Sequence, residues 1–210
     1  MKMKKVLAML LAVLMIVTAT VAGTVAWLMD TTEEVKNTFT PSDINIDLDE
    51  GDALNLEMVP GSAITKDPMA TVVGGSEACW LFVEVTESTT PDLDKYIAYA
   101  IADGWKLLDG TAAANINTNT MDSYVIYREV DASNADQEFP ILGKGSFNDT
   151  AVNYTVNWGA NQVGVKPSVT KADMEAIKDA QPTLSFKAYA VQKANVADVD
   201  DAWAIAKPTT

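Results

Sequence analysis

The side chains able to do chemistry in this chain are nearly all carboxylates. Asp43, Asp47, Asp49, Glu50 and Asp52 crowd one short stretch, and Asp198, Asp200 and Asp201 another. Oxygen clusters of this kind can hold calcium, but an EF-hand loop needs glycine at its sixth position and glutamate at its twelfth, and neither stretch provides them. The first cluster is expected to be the wet face of a strand and its turn, and the second the favourable negative start of a helix. Paired carboxylates can also cleave glycosides, yet no spacing singles out a pair among 29 acidic residues. Cys79 precedes Trp80 inside an apolar run, where a thiol acts as a small buried hydrophobe. Asn148-Asp149-Thr150 and Asn153-Tyr154-Thr155 fit the N-glycosylation pattern, a match that is common by chance. The chain has no histidine, which removes Ser-His-Asp and Cys-His nucleophiles, HExxH zinc sites and the usual general base. Its single cysteine rules out an intrachain disulfide. The expectation is a protein that is not an enzyme, with no catalytic, metal or cofactor-binding residue. Calcium is the one ion the acidic clusters leave open.

A formal charge of -14 opposes nucleic acid as a partner, because affinity for phosphate backbones comes largely from Lys and Arg releasing counterions. Hydrophobic residues at 48% and charged residues at 21% match a folded chain, and 210 residues suit one domain with a substantial core.

The elements follow from periodicity. Asp43 to Asp49 alternates, with Ile44, Ile46 and Leu48 on one face. Cys79-Trp80-Leu81-Phe82-Val83-Glu84-Val85-Thr86 is apolar on both faces and should lie centrally, covered on two sides. Further strands are expected at Ser123–Val130, at Ala151–Trp158 with Val152, Tyr154, Val156 and Trp158 inward, and at Leu184–Val191. Val59-Pro60-Gly61-Ser62 and Gly74-Gly75-Ser76-Glu77 are turns. Thr170 caps a helix in which Met174, Ile177 and Lys178 share a face, and Asp198 to Ala206 forms a second with Val199, Trp203 and Ala206 aligned. Leu93 to Leu108 fits helix and strand alike, while 112–120 and 132–137 read as exposed loops. Strands separated by turns, without regular strand–helix alternation, predict an all-β antiparallel sandwich carrying two or three short helices.

The N-terminus has its own logic. Lys2, Lys4 and Lys5 precede an uncharged apolar run from Val6 to Met29, and Gly23-Thr24-Val25-Ala26 puts small residues where signal peptidase requires them. Residues 1–26 are therefore expected to be a signal peptide cleaved between Ala26 and Trp27, the alternative being an uncleaved anchor. The stretch Thr18 to Thr24 is too small and β-branched for a strong span. Cleavage frees a partly apolar end at 27–37, available to pair with an exposed edge of a neighbouring molecule, ahead of a sandwich domain at 38–210.

Gly23-Thr24-Val25-Ala26-Trp27-Leu28-Met29-Asp30, followed by Asn37-Thr38-Phe39-Thr40-Pro41-Ser42-Asp43-Ile44-Asn45-Ile46-Asp47-Leu48, resembles the signal and first strand of the TasA/camelysin family. Val59-Pro60-Gly61 with Lys66-Asp67-Pro68, and Ala188-Tyr189-Ala190-Val191-Gln192 with Ala202-Trp203, resemble its Pro-Gly turn and closing strand. Ser42-Asp43 stand where the family often has glycine, and Gly74-Gly75 replace an Asn-x-Gly turn. The resemblance covers both ends of the chain and leaves Leu93 to Lys166 without landmarks. It implies a jelly-roll-like sandwich, secreted into the extracellular matrix or onto the surface of a Gram-positive cell. It also implies processing by a SipW-type signal peptidase and head-to-tail assembly into biofilm matrix fibres. Its partners would be further copies of itself and an accessory matrix protein, with the membrane met only before cleavage. Trp27, Leu28, Met29 and Val35 would be the assembly contacts. Two other functions compete: a monomeric calcium-dependent surface adhesion module and a camelysin-like metalloendopeptidase, the latter opposed by the lack of histidine. The chain ends Ala206-Lys207-Pro208-Thr209-Thr210 without a wall-sorting signal, so attachment by sortase is not expected. Amino-terminal sequencing of exported protein is expected to begin Trp-Leu-Met-Asp; a product that retains Gly23 to Ala26 would refute the cleavage.

Overall fold

Strand β4 (Cys79–Glu87) organises the sandwich because both of its faces are apolar. Cys79, Leu81, Val83 and Val85 point to one side and Trp80 and Phe82 to the other, all buried. The computed structural model describes residues 43–50, 58–90 and 92–207, within the compact unit Ser42–Thr210. Among them fourteen strands pair antiparallel throughout: β1 (Ile46–Glu50), β2 (Ala63–Thr65), β3 (Pro68–Val72), β4, β5 (Ile97–Ala98), β6 (Ala100–Ile101), β7 (Lys106–Leu107), β8 (Ser123–Val130), β9 (Gln137–Pro140), β10 (Leu142–Gly143), β11 (Gly145–Asp149), β12 (Tyr154–Trp158), β13 (Gln162–Val165) and β14 (Leu184–Gln192). The fold is an all-β sandwich, and the described residues also form two helices, α1 (Lys171–Ala180) and α2 (Val199–Ala206), and three single 3₁₀ turns. None of the described helices is long and apolar enough to cross a membrane.

One layer has the strand order β14-β4-β8-β7. β14 runs beside β4 over its whole length, from Leu184 opposite Glu87 to Gln192 opposite Cys79, and β8 takes the other side. The facing layer contains β1-β3-β9, with smaller sheets β2-β13-β5, β10-β6 and β11-β12. Ala70 and Val72 of β3, Ile101, Ile141, Leu142 and Val163 meet the inner side chains of β4 and β8 in the main core.

The outer face of β4 is closed by α2. Asp198 caps this helix by accepting from the Asp201 N–H at 3.0 Å, with Asp200 and Asp201 in its positive first turn. Val199, Ala202, Trp203 and Ala206 recur at helical spacing and pack onto Trp80, Phe82 and Tyr127. The Trp203 ring lies 5.2 Å from Phe82 and 5.5 Å from Tyr189, the latter pair edge-on at 81°. α1 begins with a capping box, Thr170 and Asp173 each bonding the other's backbone, and leans Met174 and Ile177 on the main core.

The stretch that fits helix and strand alike takes a definite form, and two others differ from the sequence expectation. Leu93–Leu108 is a 3₁₀ turn followed by three two-residue strands, too short for any period to show. The 112–120 loop is not wholly exposed, since Ala113 and Thr118 are buried, Thr118 donating to the Tyr99 carbonyl at 2.9 Å. β12 starts only at Tyr154: Val152 belongs to a tight turn in which Asn153 has φ 53°, and both Val152 and Tyr154 are half exposed. Period-two alternation continues across that turn, so the sequence alone extends the strand too far. Val156 and Trp158 do point inward, the Trp158 indole lying between Gly145 and Gly164, where a Cβ would come within 2.5 Å and 2.6 Å of it. Phe82→Ala is expected to destabilise the fold by about 3–5 kcal/mol, read by chemical denaturation, because α2 prevents the cavity from collapsing.

Candidate functional site

Ala26, Trp27, Leu28, Met29 and Val35, the cleavage and assembly residues inferred from sequence, lie outside the described residues, as does Asp52 of the acidic cluster. What the sandwich presents to such a segment is described, however. β1 and β14 are the outer strands of their respective sheets and lie against one another on the same side of the sandwich. Among the described residues neither carries a further strand on its outer edge. Ile46 and Leu48 of β1 and Phe186, Ala188 and Ala190 of β14 face the main core yet are only half-buried. Among the described residues, two edges of unpaired backbone therefore flank an apolar seam.

Alternation places Asp47 and Asp49 outward on β1, both exposed, and Glu50 pairs with Lys66. Outward charge on an edge strand discourages indiscriminate pairing while leaving the inner face apolar. Among the described residues no three Asp, Glu, Cys or His side chains converge in a metal-binding group. Burial pushes the Cys79 thiol up to about 11, which keeps it protonated and poorly nucleophilic.

A polar cluster that periodicity does not reveal closes one end of the molecule. Glu87, the last residue of β4, is buried and accepts a hydrogen bond from the Tyr99 hydroxyl, which lies 3.0 Å from the Tyr124 hydroxyl. Burial raises the Glu87 carboxyl from 4.5 to about 7; the Tyr99 hydrogen bond opposes the rise, and the nearby carboxylates of Asp94, Asp122 and Asp92 add to it. Burial also raises both tyrosine hydroxyls, so they remain neutral donors. Beside them Lys166 donates to the Asp94 carbonyl and, at 3.3 Å, to Asn119, with its ammonium 4.6 Å from the Phe147 ring centroid. Buried Asp149 accepts the N–H groups of Ala151 and Ser168, both at 3.0 Å, and bonding from Ser168 holds its carboxyl low. The cluster fastens the loops that follow β4, β11 and β13. Most of its hydrogen bonds run between its own groups or to the backbone.

No family model, curated protein or solved structure matches the chain.

Because the folded carboxyl of Glu87 holds its proton more tightly than the unfolded one, the stability it contributes is complete below about pH 4.5, falls as the pH rises, and is lost above about 7. Glu87→Gln, which cannot ionise, is expected to gain on the wild type by on the order of 2 kcal/mol across that window. Denaturation curves for the two proteins that stay parallel between these pH values would contradict the assignment.

Proposed function

We propose that this chain is an exported structural subunit, without enzymatic activity, that assembles head-to-tail into extracellular fibres of a biofilm matrix. In this reading a SipW-type peptidase cuts after Ala26, and the freed segment 27–37 completes the sandwich of the next copy. The observation that carries the reading is the β1–β14 seam: two adjacent outer edges with half-buried apolar side chains between them. Backbone N–H and C=O groups along such edges give an incoming strand hydrogen bonds of about 0.5–1.5 kcal/mol net each, and the apolar side chains set its register. Trp27, Leu28, Met29 and Val35 would supply apolar surface to cover the half-buried side chains of the seam. Donor and acceptor are different surfaces, so the contact does not close on itself and propagates as an open fibre. The inert thiol, the absence of histidine and the internally bonded polar cluster support a structural role over a hydrolytic one.

Electron microscopy of purified chain beginning at Trp27 is expected to show filaments, and chain lacking residues 27–37 is expected to remain monomeric while keeping the same melting temperature. Filaments of equal abundance from the shortened chain would rule out strand donation.

A further inference from the structure

Arg128 is the chain's only arginine, and its surroundings differ from those of the lysines with visible partners. Lys66, Lys171 and Lys193 each face a carboxylate, and Lys166 bonds a carbonyl and an amide. Among the described residues no carboxylate pairs with Arg128 and no acceptor takes a hydrogen bond from it; its Nε is buried with nothing to donate to. The guanidinium is nonetheless held in place. Its carbon lies 3.8 Å from the Phe139 ring centroid and 5.4 Å from that of Trp105. Gly104, at φ +90°, backs onto it so closely that a Cβ there would sit 3.1 Å from Nη2. The Trp105 indole N–H is already used, donating to the Pro140 carbonyl at 2.8 Å.

The topology fixes where this group lies. Arg128 leaves β8 on the core side, in step with Ile126 and Val130. The short strand β7 has ended one residue earlier, at the Lys106–Tyr127 pair, so β8 is an open edge at Arg128. Phe139 belongs to β9, the outer strand of the facing sheet. The guanidinium therefore fills the mouth between the two layers on the side opposite the β1–β14 seam.

A half-buried guanidinium whose buried Nε has no acceptor among the described residues has lost part of its hydration without gaining a partner there, which is unfavourable until an acceptor arrives. A planar fork fixed against an aromatic ring matches a carboxylate, whose two oxygens take parallel N–H bonds; an ammonium does not. Without residues 1–26 the chain keeps 12 basic against 29 acidic residues, a net charge of 12 - 29 = -17, so its copies repel one another and a contact between them is best built on a cation that no acid among the described residues has neutralised. We infer that Arg128, clamped by Phe139, Trp105 and Gly104, is the docking point for a carboxylate of a neighbouring copy. The inference rests on the fibre reading and adds a second anchor, on the opposite side of the sandwich from the strand acceptor.

The test uses chain beginning at Trp27. Arg128→Gln is expected to raise the critical concentration for filaments about tenfold or more, with Arg128→Lys between it and the wild type and the monomer melting temperatures close together. Since there is one arginine, a dicarbonyl reagent specific for arginine masks this group without mutation. Reagent-treated monomer should fail to assemble, and preformed filaments should be protected, as read by intact mass. Filaments formed equally well by Arg128→Gln or by reagent-treated monomer would overturn the docking point alone. Loss of monomer stability with unchanged assembly would also overturn it, making Arg128 only a plug for the core. Wild-type chain that never forms filaments would remove the fibre reading and this inference together.

Discussion

Strand β4 needs cover on two faces at once, and the rest of the molecule is arranged to provide it. Cys79, Leu81, Val83 and Val85 can be buried only by a second layer, and Trp80 and Phe82 only by something on the far side of the sheet. The first requirement produces the sandwich, with β3 and the short strands opposite. The second recruits α2, whose Ala202 and Trp203 have no counterpart in the facing layer. Burying an aromatic or branched side chain stabilises by about 1.5–3 kcal/mol, so a two-sided strand concentrates stabilisation that a small antiparallel sheet would otherwise spread over several. This central strand serves a chain whose single cysteine cannot form an internal disulfide.

The same strand ends on Glu87, and the change from apolar to polar at that point explains the crowded cluster around it. A carboxyl at the end of a buried strand must find a hydroxyl or stay in water, and Tyr99 and Tyr124 arrive from later elements to receive it. Lys166 and Asp149 then draw in neighbouring loops, mostly through backbone partners. The arrangement is compact and ties together loops that are distant in the chain.

Away from that end, acidic charge and sheet edges act together. Alternation on β1 turns Asp47 and Asp49 outward and Ile46 and Leu48 inward, so one strand is wet on its surface and unfinished on its inner side. Across the sandwich, β9 and the open edge of β8 leave a second mouth, filled by Arg128 rather than by an apolar side chain. The two sides of the sandwich thus differ in chemistry, one hydrophobic and hydrogen-bonding, the other cationic.

Much of this architecture is legible in the amino-acid order. The two apolar faces of β4, the alternation of β1, the full extent of β8, all of β14 but its last residue, and both helices with their caps at Thr170 and Asp198 follow from spacing, because periods of two and 3.6 residues are local properties. The apolar segment at Trp27 to Val35 is equally legible, as composition beside a cleavage pattern. The seam proposed to receive it is not, because it exists only where β1 and β14, far apart in the chain, come side by side. Strands of two residues such as β5 to β7 carry no period and are defined by their partners. Val152 and Tyr154 keep the rhythm of a strand although a turn has already begun. Glu87 and Arg128 look like ordinary charged positions in a strand until Tyr99, Tyr124, Phe139 and Trp105 are placed around them. Pattern decides which face of an element is apolar, whereas the burial of a charge depends on side chains from distant parts of the chain, and only the tertiary structure brings those together.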